Sequence, residues 1–170
     1  MKLTAFIAAL FLSASAFAQT SVDKIYGIDR TATLRAASGS LSAAETTTAV
    51  IGLHVFSEAV VYLNITTATL ADADDEVDFY LQTTYDGGTT WTDLSCIHLA
   101  NGDNGSPQKS VILVGRAANG IAQAEDTTDG TLADDTNVDY PIGTQLRIKT
   151  KITGATAPTY AYTATAFFRE

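Results

Sequence analysis

The chain has 170 residues, 46% of them hydrophobic, and its 19 acidic and 10 basic side chains give a formal net charge of −9. That apolar content is enough for a core and excludes bulk disorder, while the acidic balance argues against nucleic acid as a partner, since phosphate neutralisation needs a basic footprint. Cys96 is the single cysteine, so no disulfide can form within the chain.

Met1-Lys2 is a short basic start, residues 3–12 are nearly all apolar, and Ala16-Phe17-Ala18 runs into Gln19. A basic n-region, an apolar h-region and an A-x-A site predict a signal peptide over residues 1–18, cleaved before Gln19, and an exported product. The apolar run is short for a bilayer span, which takes about 20 residues. A membrane would therefore be met only through an uncleaved leader, which would otherwise serve as an assembly arm. Residues 19–44 are rich in Thr, Ala and Ser and poor in core residues. They read as an extended arm whose Ile25, Tyr26, Ile28 and Leu34 would add to the sheet edge of a neighbouring copy.

Residues 45–170 read as one domain, a usual length for a single core. Residues 49–56 and 58–65 are β-branched and aromatic runs, and residues 76–82 alternate with Val77, Phe79 and Leu81 on one side. Residues 91–99, 110–116, 144–152 and 160–168 complete the set, separated by Gly, Asp, Asn and Pro clusters. Many short strands with turn signals between them predict an all-β fold, an antiparallel, jelly-roll-like β-sandwich.

Thr84-Tyr85-Asp86-Gly87-Gly88-Thr89-Thr90-Trp91 carries the tightest local pattern. Gly87 and Gly88 tolerate the positive φ of a tight turn, and Asp86 is placed to accept hydrogen bonds from its own turn. Thr84 and Thr90 flank it, and Trp91 offers a broad surface that locks the loop to a neighbouring strand. The stretch resembles a single Asp-box, S/T-x-D-x-G-x-T-W, which recurs on sialidase propeller blades away from the active site. One box in a chain too short for a propeller implies a structural turn. With a two-residue loop at Asp86-Gly87 or Gly87-Gly88, Val77, Phe79 and Leu81 share a face with Leu94, Cys96 and His98, leaving Trp91, Ile97 and Leu99 opposite with Tyr80. A one-residue bulge would reverse that assignment.

Few groups suggest chemistry. Cys96 and His98 point the same way on a strand, but a Cys–His dyad also needs an orienting group and an oxyanion site. A buried thiol and a packed imidazole are the simpler reading. His54 stands alone, which argues against a zinc centre built on it, and Asn64-Ile65-Thr66 is a glycosylation sequon inside an expected strand. Asp126, Asp129, Asp134, Asp135 and Asp139 gather hard oxygen ligands in one loop, a candidate calcium site without EF-hand spacing, or else a solvated acidic loop. Arg147, Lys149 and Lys151 form a basic stripe on one face of a strand whose other face is Leu146, Ile148, Thr150 and Ile152. Two uses fit the stripe: cross-strand pairing with local carboxylates, or contact with an acidic neighbouring subunit.

Residues 77–94, a strand, a D-G hairpin and a Trp strand, followed by the R-x-K strand, I-T-G turn and aromatic last strand of residues 146–162, resemble small β-sandwich virion proteins of tailed bacteriophages. The resemblance implies a non-enzymatic shell, decoration or tail component that packs against copies of itself or against a capsid or tail protein. The leader departs from that pattern, since cytoplasmically assembled phage proteins lack one. A secreted filament subunit, or a carbohydrate-binding module using Trp91 and exposed tyrosines, is the alternative. A hydrolase is weakest, because no carboxylate pair stands out from the acidic background.

Overall fold

The computed structural model describes residues 30–36, 39–53, 56, 58–105, 110–116 (backbone only), 129–138, 141–154 and 158–169. The expected signal peptide, Ile25, Tyr26, Ile28, His54, Asp126 and Asp139 lie outside them. The described residues form eight strands: β1 (Arg30–Arg35), β2 (Val50–Ile51), β3 (Glu58–Thr69), β4 (Glu76–Thr84), β5 (Thr92–Leu99), β6 (Ser110–Arg116), β7 (Gln145–Thr153) and β8 (Thr159–Arg169). They form two four-stranded sheets, β1-β8-β3-β6 and β2-β7-β4-β5, with every pairing antiparallel.

The partners β1·β8, β2·β7, β3·β6 and β4·β5 are those of one long hairpin folded over on itself. That is the jelly-roll arrangement of a β-sandwich. Period-two patterning drives it: on β7, Leu146, Ile148 and Thr150 are buried, while Lys151 is exposed and Arg147 and Lys149 partly so. On β8, Tyr160, Tyr162, Ala164, Ala166 and Phe168 all face the core. Phe79 of β4 joins the sheets, meeting Tyr160 and Tyr162 edge-on with ring centroids 5.5 and 5.2 Å apart. Such T-shaped contacts suit the quadrupoles of aromatic rings.

Two sequence expectations change here. Leu34 is not an exposed assembly contact: it is buried in the chain's own core, on a strand that pairs with β8. Beyond β1 the chain rejoins β8 at Leu41–Tyr160 and then crosses to the other sheet, where Thr46 bridges Lys149 before β2 begins. This segment supplies β1 and β2, the edge strands beside β8 and β7, from within the same molecule, so neither β8 nor β7 is left open to a neighbour's arm on that side. Arg35, paired with Glu45 at 2.7 Å and lying over the Tyr162 ring, and the Tyr162 hydroxyl, which donates to Glu45, tie down the crossover. The sandwich therefore includes residues well before 45.

The second change is the register of β4 and β5. Near the turn, Thr83 pairs with Thr92 and Gln82 with Asp93, the register of a Gly87-Gly88 loop. Leu81 then pairs with Ser95, so Leu94 is an extra residue, a bulge. Past it, Phe79 opposes Ile97 and Val77 opposes Leu99 in the core, while Cys96 and His98 stand opposite Tyr80 and Asp78 on the outer face.

Candidate functional site

Among the described residues, the outer face of the β2-β7-β4-β5 sheet carries a connected network of charged and polar side chains. Cross-strand rows place Lys151 beside Asp78, Lys149 beside Tyr80 and Arg147 beside Gln82. Residues 129–138 fold over this face and along β5, with Cys96 N donating to Thr136 O and Val138 N to Leu94 O. Asp93, fully buried, holds that loop: its carboxylate accepts from the backbone amides of Gly130, Thr131 and Leu132, and from Gln82. A carboxylate ringed by amides in this way is a strong structural anchor.

The basic stripe turns inward to the same loop. Arg147 Nη2 lies 3.2 Å and Lys149 Nζ 2.9 Å from Asp129 Oδ1. Arg147 also donates to Gln82 and sits over Trp91, 3.7 Å from the ring centroid. For these two cations the use found is pairing within the molecule. Trp91 is only 7% exposed beneath the guanidinium and donates its indole N–H to Gly88 O, so it offers no free platform to a sugar ring.

The hairpin is a closed hydrogen-bond cage. Asp86 accepts from the hydroxyls of Thr84 and Thr90 and from the amides of Thr89 and Thr90. The Thr90 hydroxyl foremost, then the Thr90 amide and Thr84, hold the Asp86 carboxyl well below the usual carboxylate range. Gly87 and Gly88 have φ of 76° and 102°, the left-handed region. The side chain of Gln145 closes the cage by donating to Gly87 O.

The bulge has a further consequence at the far end of the face. It puts His98 Nδ1 2.8 Å from Asp78 Oδ1 and 3.7 Å from Asp134 Oδ2 of the covering loop. Burial alone would lower the imidazole pKa, but the hydrogen bond with Asp78 and the charges of Asp134, Asp78 and Glu76 raise it on balance. Tyr80 donates its hydroxyl to the other oxygen of Asp78 at 3.2 Å. Cys96, beside them, is 2% exposed, and burial followed by the Asp78 charge pushes its thiol up to about 12. A catalytic cysteine needs the opposite shift, toward thiolate.

Of the acidic loop, Asp129 is engaged by two cations, Asp134 faces His98, and Asp135 accepts from the His98 amide. These three carboxylates do not converge on one point as a calcium cage of six to eight oxygens would require. Among the described residues, Asp78, His98 and Asp134 are the one set whose donor atoms lie close enough to share an ion, all within 4.8 Å of one another. Alternation alone does not bring this trio together: without the bulge at Leu94, His98 faces the core, away from Asp78.

No family model matches the chain, and no curated protein or solved structure matches it. No helix of the described residues is long and apolar enough to cross a membrane.

Proposed function

We propose that the chain is a non-enzymatic assembly protein, a coat or decoration component of a virion surface, that works by packing against copies of itself. The observation that carries this reading is the outer face of the β1-β8-β3-β6 sheet. On a chain of net charge −9, that face presents cross-strand rows Val60–Phe167–Thr31 and Tyr62–Thr165–Thr33. Tyr62 is 42% exposed there. Charge falls in the end row of the face, where the register aligns Arg116, Glu58 and Arg169, the last two 3.4 Å apart.

Two copies of an acidic protein repel wherever their carboxylates approach, so an uncharged, threonine-rich sheet face is where they meet at least cost. The jelly roll is an architecture shared by viral coat proteins, lectins and cupins, and a fold by itself does not choose among them. Likeness to phage virion proteins in the Trp hairpin and the last two strands tips the choice, and the leader-like N-terminus favours an exported or surface-assembled product.

Light scattering on the full chain over a concentration series, at low and at physiological salt, tests the reading. Species larger than a monomer are expected, more of them as salt shortens the Debye length to about 8 Å, and Tyr62→Lys should dissociate them. A wild-type chain that stays monomeric throughout would overturn the proposal. Deleting residues 19–44 is not a usable test, because it removes β1 and Leu34 from the core.

A further inference from the structure

The geometry points to a transition-metal site, best suited to zinc, formed by Asp78 of β4, His98 of β5 and Asp134 of the covering loop, with one coordination position left to solvent. An ion about 2.0–2.1 Å from each donor of a tetrahedral set spaces those donors about 3.3 Å apart. His98 Nδ1 lies 2.8 Å from Asp78 Oδ1 and 3.7 Å from Asp134 Oδ2, which brackets that spacing. The imidazole nitrogen favours zinc and its neighbours in the first transition row over calcium or magnesium, which prefer an all-oxygen shell.

The surroundings suit a site that is held rather than incidental. Tyr80 donates to Asp78 Oδ2, which leaves Oδ1 aimed at His98. The His98 amide donates to Asp135 Oδ1, pinning the loop next to Asp134. Partners of this kind orient ligands and typically carry 10–100-fold in affinity. Access is one-sided: the Asp78 and His98 side chains are 7% and 17% exposed, while that of Asp134 is 63% exposed. An ion can therefore enter past the loop and, once bound, join that loop to two strands. Self-assembly through the opposite sheet is a separate matter, and neither reading depends on the other.

The test is titration of the full chain with Zn²⁺ by calorimetry, and with Co²⁺ by its visible absorption, before and after chelator treatment. One ion per chain is expected, with a tetrahedral cobalt spectrum and a higher melting temperature in zinc. Asp134→Ala, on an exposed loop position, should abolish the spectrum while the circular dichroism stays that of a folded sheet. Tyr80→Phe should weaken binding about tenfold. Excess Ca²⁺ should not displace the cobalt. No saturable uptake by the wild type, unchanged binding in Asp134→Ala, or displacement of the cobalt by excess Ca²⁺ would each overturn the site, the last by reducing it to general binding on an acidic surface.

Discussion

Arg147 sits over the indole of Trp91, 3.7 Å from the ring centroid, and this contact joins the Asp86 hairpin to the basic strand. Arg147→Lys keeps the charge but loses the planar group that stacks. A cost of about 1 kcal/mol is expected for a partly desolvated cation–π pair. Trp91 is the only tryptophan, so intrinsic fluorescence reports the contact directly. A shifted emission maximum with a lower melting temperature is the expected outcome, and an unchanged spectrum would show that the stacking is not kept in solution.

Asp93 should prove more important than any exposed carboxylate. Asp93→Ala strands the amides of Gly130, Thr131 and Leu132, for which a buried donor costs about 1–3 kcal/mol each. The loop should loosen before the sandwich melts. Hydrogen exchange at those three amides is the measurement, with protection lost there and retained in β8.

Gly143 lies against β4 so closely that a Cβ on it would overlap the Thr84 carbonyl oxygen, a backbone atom that cannot rotate away. Gly143→Ala should therefore cost about 3 kcal/mol, the upper end for overpacking. Gly102→Ala meets nothing nearby and should stay within about 0.5 kcal/mol of wild type. Chemical denaturation of the two variants gives the comparison, and equal midpoints would contradict the packing described.

Cys96 should be inert in the folded protein. Its thiol is pushed up from 9.0 to about 12, so the thiolate fraction near neutral pH falls about a thousandfold, and burial blocks approach as well. A colorimetric thiol reagent should react only on unfolding. Fast reaction with native protein would restore Cys96 as a candidate nucleophile.

Acid should destabilise the fold through Asp86 and Asp129. Thr90 and Thr84 lower the first; for the second, burial works upward but Lys149, Gln82 and Arg147 prevail. A carboxyl lowered in the folded state contributes fully above its ordinary value of 3.8, and that contribution is lost as pH falls through the folded value. Melting temperature should therefore drop below about pH 4. Asp86→Asn should start lower and lose less over that range, and a parallel pH profile would rule out the Asp86 share.

Much of this protein is written in local spacing. Alternation on β7 separates Leu146, Ile148 and Thr150 from Arg147, Lys149 and Lys151 whatever the strand pairs with, because successive side chains point to opposite faces. The Asp86 turn is equally local, since its donors and acceptors lie within a few residues of one another. Only the tertiary structure decided which way Cys96 and His98 face. One extra residue at Leu94 flips every side chain after it, and nothing in the residue types around Leu94 marks the bulge. The same holds for Leu34, whose partner strand is more than a hundred residues away in the chain. It holds too for Asp134, brought to His98 by a loop anchored on Asp93. Patterning determines a side chain's face relative to its neighbours, but a site made from three distant segments needs the register and the fold-back, and those are set by packing across the whole sandwich.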